Sequence, residues 1–265
     1  MSDAAPEQIL YGVHAVLEAL RQQGEAVEEV LVAQGVRGHW LEEVKSLTRK
    51  HGVRFRVVEA GRLQRLAAGG RHQGIVARTT GARYAAWSEL EDRLRLAGSH
   101  ALVVLADCLQ DPMNLGNLLR SAAAAGAQGV ILPKDRSVGL TGTVAKAAAG
   151  ALAHLPVCRV TNLARTMTDL KKLGLWIVGA EANAPQRLDT ADLTGPLALV
   201  IGSEGRGLRP LIRQACDLLL AIPLAPGTVN SLNAATAAGI FLYEIQRQRL
   251  RRQENKVSPS ECRSS

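Results

Sequence analysis

Apolar residues at Val13, Val16, Leu17 and Leu20 recur at helical spacing and predict a helix over 12–21. The run VEEVLVA (27–33) predicts a short strand. Leu41, Val44 and Leu47 predict a second helix over 39–51, which Gly52 ends. VRFRVVE (53–59) alternates like a strand, with Val53, Phe55 and Val57 on one face. A short helix over 61–68 and a strand over 74–79 complete an α/β unit spanning 1–80. Residues 81–98 break the rhythm and predict a linker carrying one short helix, with the boundary between Thr80 and Ser99.

From Ala101 the pattern is regular. Strands are predicted over 101–107, 128–132, 156–160, 175–179, 197–201 and 218–222. Helices are predicted over 115–125, near 141–150, over 162–173, near 208–215 and over 231–249. The strands are short unalternated apolar runs, as expected when helices cover both faces of a sheet. Strands alternating with helices imply a parallel, doubly wound sheet, a Rossmann-like arrangement with no knot. Ligands of such sheets bind at the carboxyl ends of the strands. The second domain is therefore placed at 99–252, and the polar tail 253–265 is expected to be disordered.

Composition narrows the class. The 265 residues are 47% hydrophobic and 21% charged, which excludes disorder as the main state. No apolar run approaches the ~20 residues of a bilayer span, and MSDAAPEQIL does not read as a signal peptide. Cys108, Cys158, Cys216 and Cys262 are scattered without a C-x-x-C, so neither a metal site nor a disulfide framework is expected and the compartment is the cytoplasm. The net charge is +8, and its placement says more than its sum. Ten Lys and Arg lie between Lys45 and Arg83 against the single acid Glu59, a surplus larger than that of the whole chain. Arg247, Arg249, Arg251 and Arg252 form a second cluster. A solvated face explains a lone charge run, but a segment this one-sided over several elements points to nucleic acid. Aromatics are only 3%, so RNA would be held by phosphate contacts and shape rather than base stacking. Arg54, Arg56, Arg62 and Arg65 are the candidate RNA contacts.

Three loops, each just after a strand, carry the candidate chemistry. In the first, Asp111-Pro112-Met113-Asn114-Leu115-Gly116, Asn114 is placed to cap the next helix and Arg120 falls a turn into it. Taken alone, this loop is better explained by a capped helix with a salt-bridged arginine. The second, Gly202-Ser203-Glu204-Gly205-Arg206-Gly207, has glycines that allow close approach of backbone to a ligand, although a tight strand-to-helix turn needs glycines too. Glu204 is more than turn chemistry requires. The third runs from Ile222 to Asn233, with Pro223 and Pro226 stiffening it and Ser231 a good N-cap for the small-residue helix AATAAGIFLYE. That helix packs closely either against a partner subunit or under the sheet. No Walker A, G-x-S-x-G or kinase signature occurs, and the six histidines show no ligand spacing.

In this order the loops resemble the three motifs of the SpoU (TrmH) family of RNA ribose 2′-O-methyltransferases: N-x-G-x-x-x-R at Asn114/Gly116/Arg120, the Gly-Glu-Gly loop at 202–207, and I-P…S-L-N at Ile222…Asn233. YGVHAV (11–16), HQGI (72–75), PKDRS (133–137) and VTNLARTM (160–167) resemble the branch acting on guanosine of bacterial 23S rRNA. The resemblance implies an L30e-like RNA-binding domain, then a SPOUT α/β knot in which the last segment threads a loop and S-adenosylmethionine (SAM) binds. It further implies a homodimer. SAM would lie against Gly202, Gly205, Ile222, Leu224 and Leu232. Arg120 is the residue the family implicates in catalysis. A guanidinium stays protonated below pH ~12, so a clamp on the adjacent phosphate and forming oxyanion suits it better than a free base. Asn114 would orient Arg120 or the ribose, Glu204 would hold Arg120 or the nucleotide, and Ser231 and Asn233 would order the loops. Two departures from the family pattern stand out: the loop between Ile222 and Ser231 is one residue longer, and Ala-Ala-Thr follows Asn233 where relatives often have Val-Ser-Val. Methylation of tRNA or another rRNA nucleotide, a dinucleotide-dependent oxidoreductase and a non-catalytic ribosomal protein are the competing readings. The missing G-x-G-x-x-G counts against the oxidoreductase, and the intact Asn114/Arg120/Glu204 set against the non-catalytic protein.

Overall fold

The first residues form β1 (Gln8–Tyr11), a strand that the apolar pattern does not announce, followed by α1 (Val13–Gln23), β2 (Val27–Ala33), α2 (Trp40–His51), β3 (Arg54–Val58), α3 (Ala60–Leu66) and β4 (Ile75–Thr79). They belong to a computed structural model that describes residues 8–23, 27–79, 84–225, 227 and 231–257. The strand order is β1-β4-β2-β3, with β4 antiparallel to both neighbours and β2 parallel to β3. Val16, Leu20, Val30, Val32, Val44 and Ile75 fill one face of this sheet, and Leu31, Leu63 and Val76 the other. Gly52, at φ +66, ends α2 as its position predicts, donating its N–H back to the last turn. Val57, expected on one face with Val53 and Phe55, is 60% exposed, whereas those two pack against the core.

The remaining elements are α4 (Trp87–Ala97), β5 (Leu102–Ala106), α5 (Pro112–Ala124), β6 (Gly129–Pro133), α6 (Gly142–Ala148), β7 (Val157–Val160), α7 (Leu163–Lys172), β8 (Trp176–Ala180), β9 (Gln186–Arg187), β10 (Leu197–Ile201), α8 (Pro210–Ala215), β11 (Leu218–Ala221) and α9 (Ala234–Val257). The chain divides into two compact units, Met1–Arg83 with Gly139–Gly150, and Tyr84–Val138 with Ala151–Ser265. In the second unit seven strands run parallel in the order β7-β6-β5-β10-β8-β11-β9. Every residue of β5 and β10 is buried, which explains why neither alternates in sequence. The order places β10 between β5 and β8, so the chain switches direction across the sheet beside β10.

Several expectations change here. Most of the segment 81–98 is not a linker: α4 starts at Trp87, and Leu90 and Leu94 lie fully inside the core with Val103, Met167 and Val200. Burying two leucines contributes roughly 3–6 kcal/mol, more than a tethering segment would. Helix α5 begins at Pro112, three residues early, because the Asp111 carboxylate caps it by accepting from Asn114 N–H at 2.8 Å. Asn114 is thus inside the helix and does not cap it. Ser231 likewise lies ahead of α9. Asn233 takes the cap role, its Oδ1 accepting from Ala235 N–H at 3.0 Å and Thr236 N–H at 3.1 Å. Helix α9 continues to Val257, into the stretch expected to be disordered, while 258–265, with Cys262, lie outside the described residues. Arg249 leaves the C-terminal basic cluster altogether. It is 6% exposed and donates to the carbonyls of His100 at 2.8 Å, Ala101 at 3.1 Å and Gly195 at 2.7 Å, tying α9 to the segments that lead into the central strands β5 and β10.

Candidate active site

The loops leaving β5, β6, β8, β10 and β11 converge at the carboxyl end of the seven-stranded sheet and bound two neighbouring cavities. One, of about 400 Å³, lies over β8, β10 and β11. Its walls include Ile201, Leu220, Ile222, Leu224, Leu232 and Phe241, with Glu181 and Asn183 supplying polar groups. The other, of about 730 Å³, lies over β5, β6 and β10. Residues Ser203, Glu204, Arg206 and Gly207 of the loop after β10 line both.

That loop is a closed hairpin. Ser203 N–H donates to Gly207 C=O at 3.1 Å, and Gly207 N–H to Ser203 C=O at 2.9 Å. Gly205 sits at φ +74, with nothing within 4 Å of where a Cβ would stand. Gly202 serves the turn itself: a Cβ there would lie 2.3 Å from the Gly207 carbonyl carbon. The glycines therefore combine the two roles that their spacing allows, closing the hairpin at Gly202 and leaving open space at Gly205.

Three side chains, one from each loop, meet between the cavities. Asn114 Nδ2 donates to Glu204 Oε1. Asn233 Nδ2 donates to the same oxygen at 2.6 Å and to Asn114 Oδ1 at 2.9 Å. Glu204 thus holds the two asparagines; of the two partners expected of it, Arg120 or the target nucleotide, Arg120 is not among its contacts. Arg120 stands six residues beyond Asn114 on α5, so the two point about 120° apart around the helix axis. It is exposed, lines neither cavity, and makes no hydrogen bond or ion pair among the described residues. Ser231 borders the smaller cavity, so it stands beside the three-residue cluster without joining it. The extra residue expected between Ile222 and Ser231 is not located, because residues 226 and 228–230 of that loop lie outside the described residues.

Several residues of the site escaped sequence reasoning. Asp107, fully buried at the end of β5, binds Arg209: it accepts from Arg209 Nε at 2.7 Å and from Arg209 N–H at 3.0 Å. The Asp107 carboxylate holds the Arg209 guanidinium above its ordinary pKa. Burial pushes the neighbouring Cys108 thiol up, which keeps it protonated. Glu181 follows β8 directly, so the carboxyl-end rule would have found it. The same rule would have found Asp107, which directly follows β5, but nothing local signals its partner Arg209, 102 residues away.

In the first unit, Arg54, Arg62 and Arg65 are exposed. Arg56 is drawn instead to Glu29, with 3.1 Å between Nε and Oε1, and the Glu29 side chain is only 7% exposed. Among the described residues no helix is long and apolar enough to cross a membrane.

Residues 101–243 match the SpoU rRNA Methylase family, and residues 9–85 match the family described as RNA 2′-O ribose methyltransferase substrate binding. The 23S rRNA (guanosine-2′-O-)-methyltransferase RlmB of Xylella fastidiosa is 44% identical over 91% of this chain and 97% of its own length. The protein of the same name from Nitrosomonas europaea is 42% identical over 92% and 93%. Among solved structures, the SpoU methyltransferase AviRb from Streptomyces viridochromogenes, in complex with AdoMet, superposes with a TM-score of 0.59 at 28% identity, covering 93% of this chain and 91% of that one.

Proposed function

The chain belongs to the SpoU rRNA methylase family, and from that premise we propose that it transfers a methyl group from SAM to the ribose 2′-hydroxyl of a guanosine in 23S rRNA. The observation that carries this reading is the cluster of Asn114, Glu204 and Asn233 between two adjoining cavities. It joins one residue from each motif at the place where two substrates can meet.

The smaller cavity suits SAM. Its volume of about 400 Å³ and apolar walls fit an adenosine, and Glu181 and Asn183 offer groups for its polar parts. When bound, SAM supplies an activated methyl on a sulfonium. The 2′-oxygen forms a bond to that methyl carbon as the carbon–sulfur bond breaks, and the 2′-proton leaves to a phosphate oxygen or water. What the chain contributes is placement, an effect of up to ~7–11 kcal/mol. Asn233 ties the start of α9 to Glu204, and Asn114 ties α5 to the same oxygen, so the two cavities keep a fixed separation. Arg120, unpaired and exposed, is left to grip the phosphate beside the target ribose as a bidentate fork. The knot implied by the resemblance remains part of this proposal.

The test is a map of 2′-O-methyl groups in total RNA from cells with and without the gene, repeated with purified enzyme and labelled SAM. One guanosine of 23S rRNA is expected to lose its mark. Loss of a tRNA mark instead would sink the rRNA assignment, and loss of none would sink the activity.

The first unit is assigned to RNA docking, in the cytoplasm. Replacing Arg54, Arg62 and Arg65 together by alanine is expected to weaken RNA binding and to flatten the log–log salt dependence by ~0.7 for each phosphate no longer neutralised. SAM affinity, measured by calorimetry, stays unchanged. Equal loss of both affinities would overturn the division of labour. Arg56→Ala belongs to a different class, because it strips a partner from the buried Glu29 and is expected to lower stability.

The enzyme is further assigned as a homodimer. Ile240, Tyr243 and Leu250 share one stripe of α9 and are 37%, 69% and 55% exposed, and Met113 of α5 is 51% exposed. Sedimentation is expected to return twice 28.2 kDa, and a monomer at micromolar concentration would refute it.

A further inference from the structure

The larger cavity is built, not incidental. Two of its lining residues, Cys108 at φ +62 and Arg136 at φ +60, hold a left-handed backbone that non-glycine residues adopt only at a cost in strain. They lie on the loops after β5 and β6, and these loops are tied together. Val138 N–H and Ser137 Oγ both donate to the Leu109 carbonyl, at 2.8 Å and 3.1 Å. Strain maintained by cross-loop hydrogen bonds is a feature of preorganised sites.

The charged side chains in this cavity that have no hydrogen-bond partner among the described residues are cationic. Its carboxylates are each engaged through one oxygen: Asp111 Oδ2 caps α5, and Glu204 Oε1 accepts from Asn114 and Asn233. Arg209 is fixed in place by the fully buried Asp107 behind it. Arg136 and Arg206 are exposed and make no hydrogen bond or ion pair among the described residues. Two free guanidiniums, with a third pinned beside them, suit an anion with several oxygens spaced along a chain. The cavity also reaches Asn114 and Glu204, and Glu204 lines the neighbouring cavity as well.

We propose that this cavity seats the target nucleotide of the RNA, with Arg136 and Arg206 gripping backbone phosphates further along the strand than the one assigned to Arg120, and the Asp107–Arg209 pair forming a rigid wall beside them. The assignment rests on the methyltransferase reading and specifies which residues position its second substrate. Arg136 and Arg206 are positioning residues for the ribose, distinct from Arg120, which lines neither cavity.

The test uses the full-length chain and the 23S rRNA fragment that the wild type methylates. Arg136→Ala, Arg206→Ala and the double variant are compared by methyl transfer from labelled SAM, by RNA binding at several salt concentrations and by SAM calorimetry. Each single substitution is expected to raise the KM for RNA about tenfold, the loss of a charged hydrogen-bond pair. Each also lowers the salt slope by ~0.7. Arg136→Lys retains the slope while losing most of the affinity, because the charge remains and the fork does not. Both positions are exposed, so thermal unfolding should be little changed. A double variant whose KM and salt slope stay within twofold of wild type overturns the proposal. So does an Arg206→Ala that loosens SAM but not RNA, since Arg206 then belongs to the cofactor cavity. A wild-type enzyme that methylates no RNA refutes the methyltransferase reading itself, which the variants alone do not touch.

Discussion

Arg120→Ala lowers the rate of methyl transfer by about 10²–10³-fold, the cost of removing one preorganised stabiliser of developing charge. SAM affinity and thermal stability stay close to those of wild type. Both halves of this expectation follow from where the residue stands. Arg120 is exposed and lines neither cavity, so the cofactor does not feel its loss. It also has no hydrogen bond or ion pair among the described residues, so the fold loses nothing when it is truncated. An arginine engaged as a helix-surface salt bridge would give the opposite result, activity within a few-fold and a stability change of at most ~1 kcal/mol. Arg120→Lys separates charge from shape. If a planar fork on phosphate is what matters, lysine leaves the enzyme severely impaired. Single-turnover transfer from labelled SAM to the rRNA fragment, beside calorimetry, reads both quantities. Near-normal turnover of the alanine variant removes Arg120 from the mechanism.

Gly202→Ala is expected to abolish measurable SAM binding, a loss of about 100-fold or more, and to destabilise the chain by roughly 1–3 kcal/mol. The added methyl would stand 2.3 Å from the Gly207 carbonyl carbon, 2.5 Å from its oxygen and 2.6 Å from the Leu208 nitrogen. All three are backbone atoms, so no side chain can swing aside. The Ser203–Gly207 hairpin must open or shift, and both cavities share its residues. Gly205→Ala provides the contrast. That position has positive φ but empty space around it, so its cost is backbone strain alone, ~1–2 kcal/mol, with SAM affinity within a few-fold. Calorimetry and thermal melts of the two variants decide the matter. Equal effects at both glycines would mean that conformational strain, and not close approach of backbone, governs this loop.

Element order was legible because burial imposes a period that local sequence records. Leu197–Ile201 reads as a central strand since all five residues are buried, and the parallel class follows from helices alternating with such runs. The three loops were also legible, because each directly follows a strand and the carboxyl-end rule makes such loops the ligand-binding ones. Element ends were less so. The starts of α5 and α9 depended on which of several adjacent polar residues accepts the first free N–H groups, and Asp111 and Asn233 won over Asn114 and Ser231.

Partnership across the chain was decided only by the tertiary structure. Asn114 meets Glu204 over a separation of 90 residues and Asn233 over 119. Asp107 meets Arg209 over 102. Nothing in the local pattern of any of these residues encodes its partner. The strand order, with β10 inserted between β5 and β8, brings their loops together. Charge behaved the same way. Arg249 and Arg56 counted as free cations in the sequence, yet one is buried on backbone carbonyls and the other is held by Glu29. The order of residues alone determines how many charges a segment carries and which face of an element is apolar, because both are local properties. Which charge remains free for a substrate depends on the neighbours that folding brings within about 3 Å of it, and those neighbours come from distant parts of the chain.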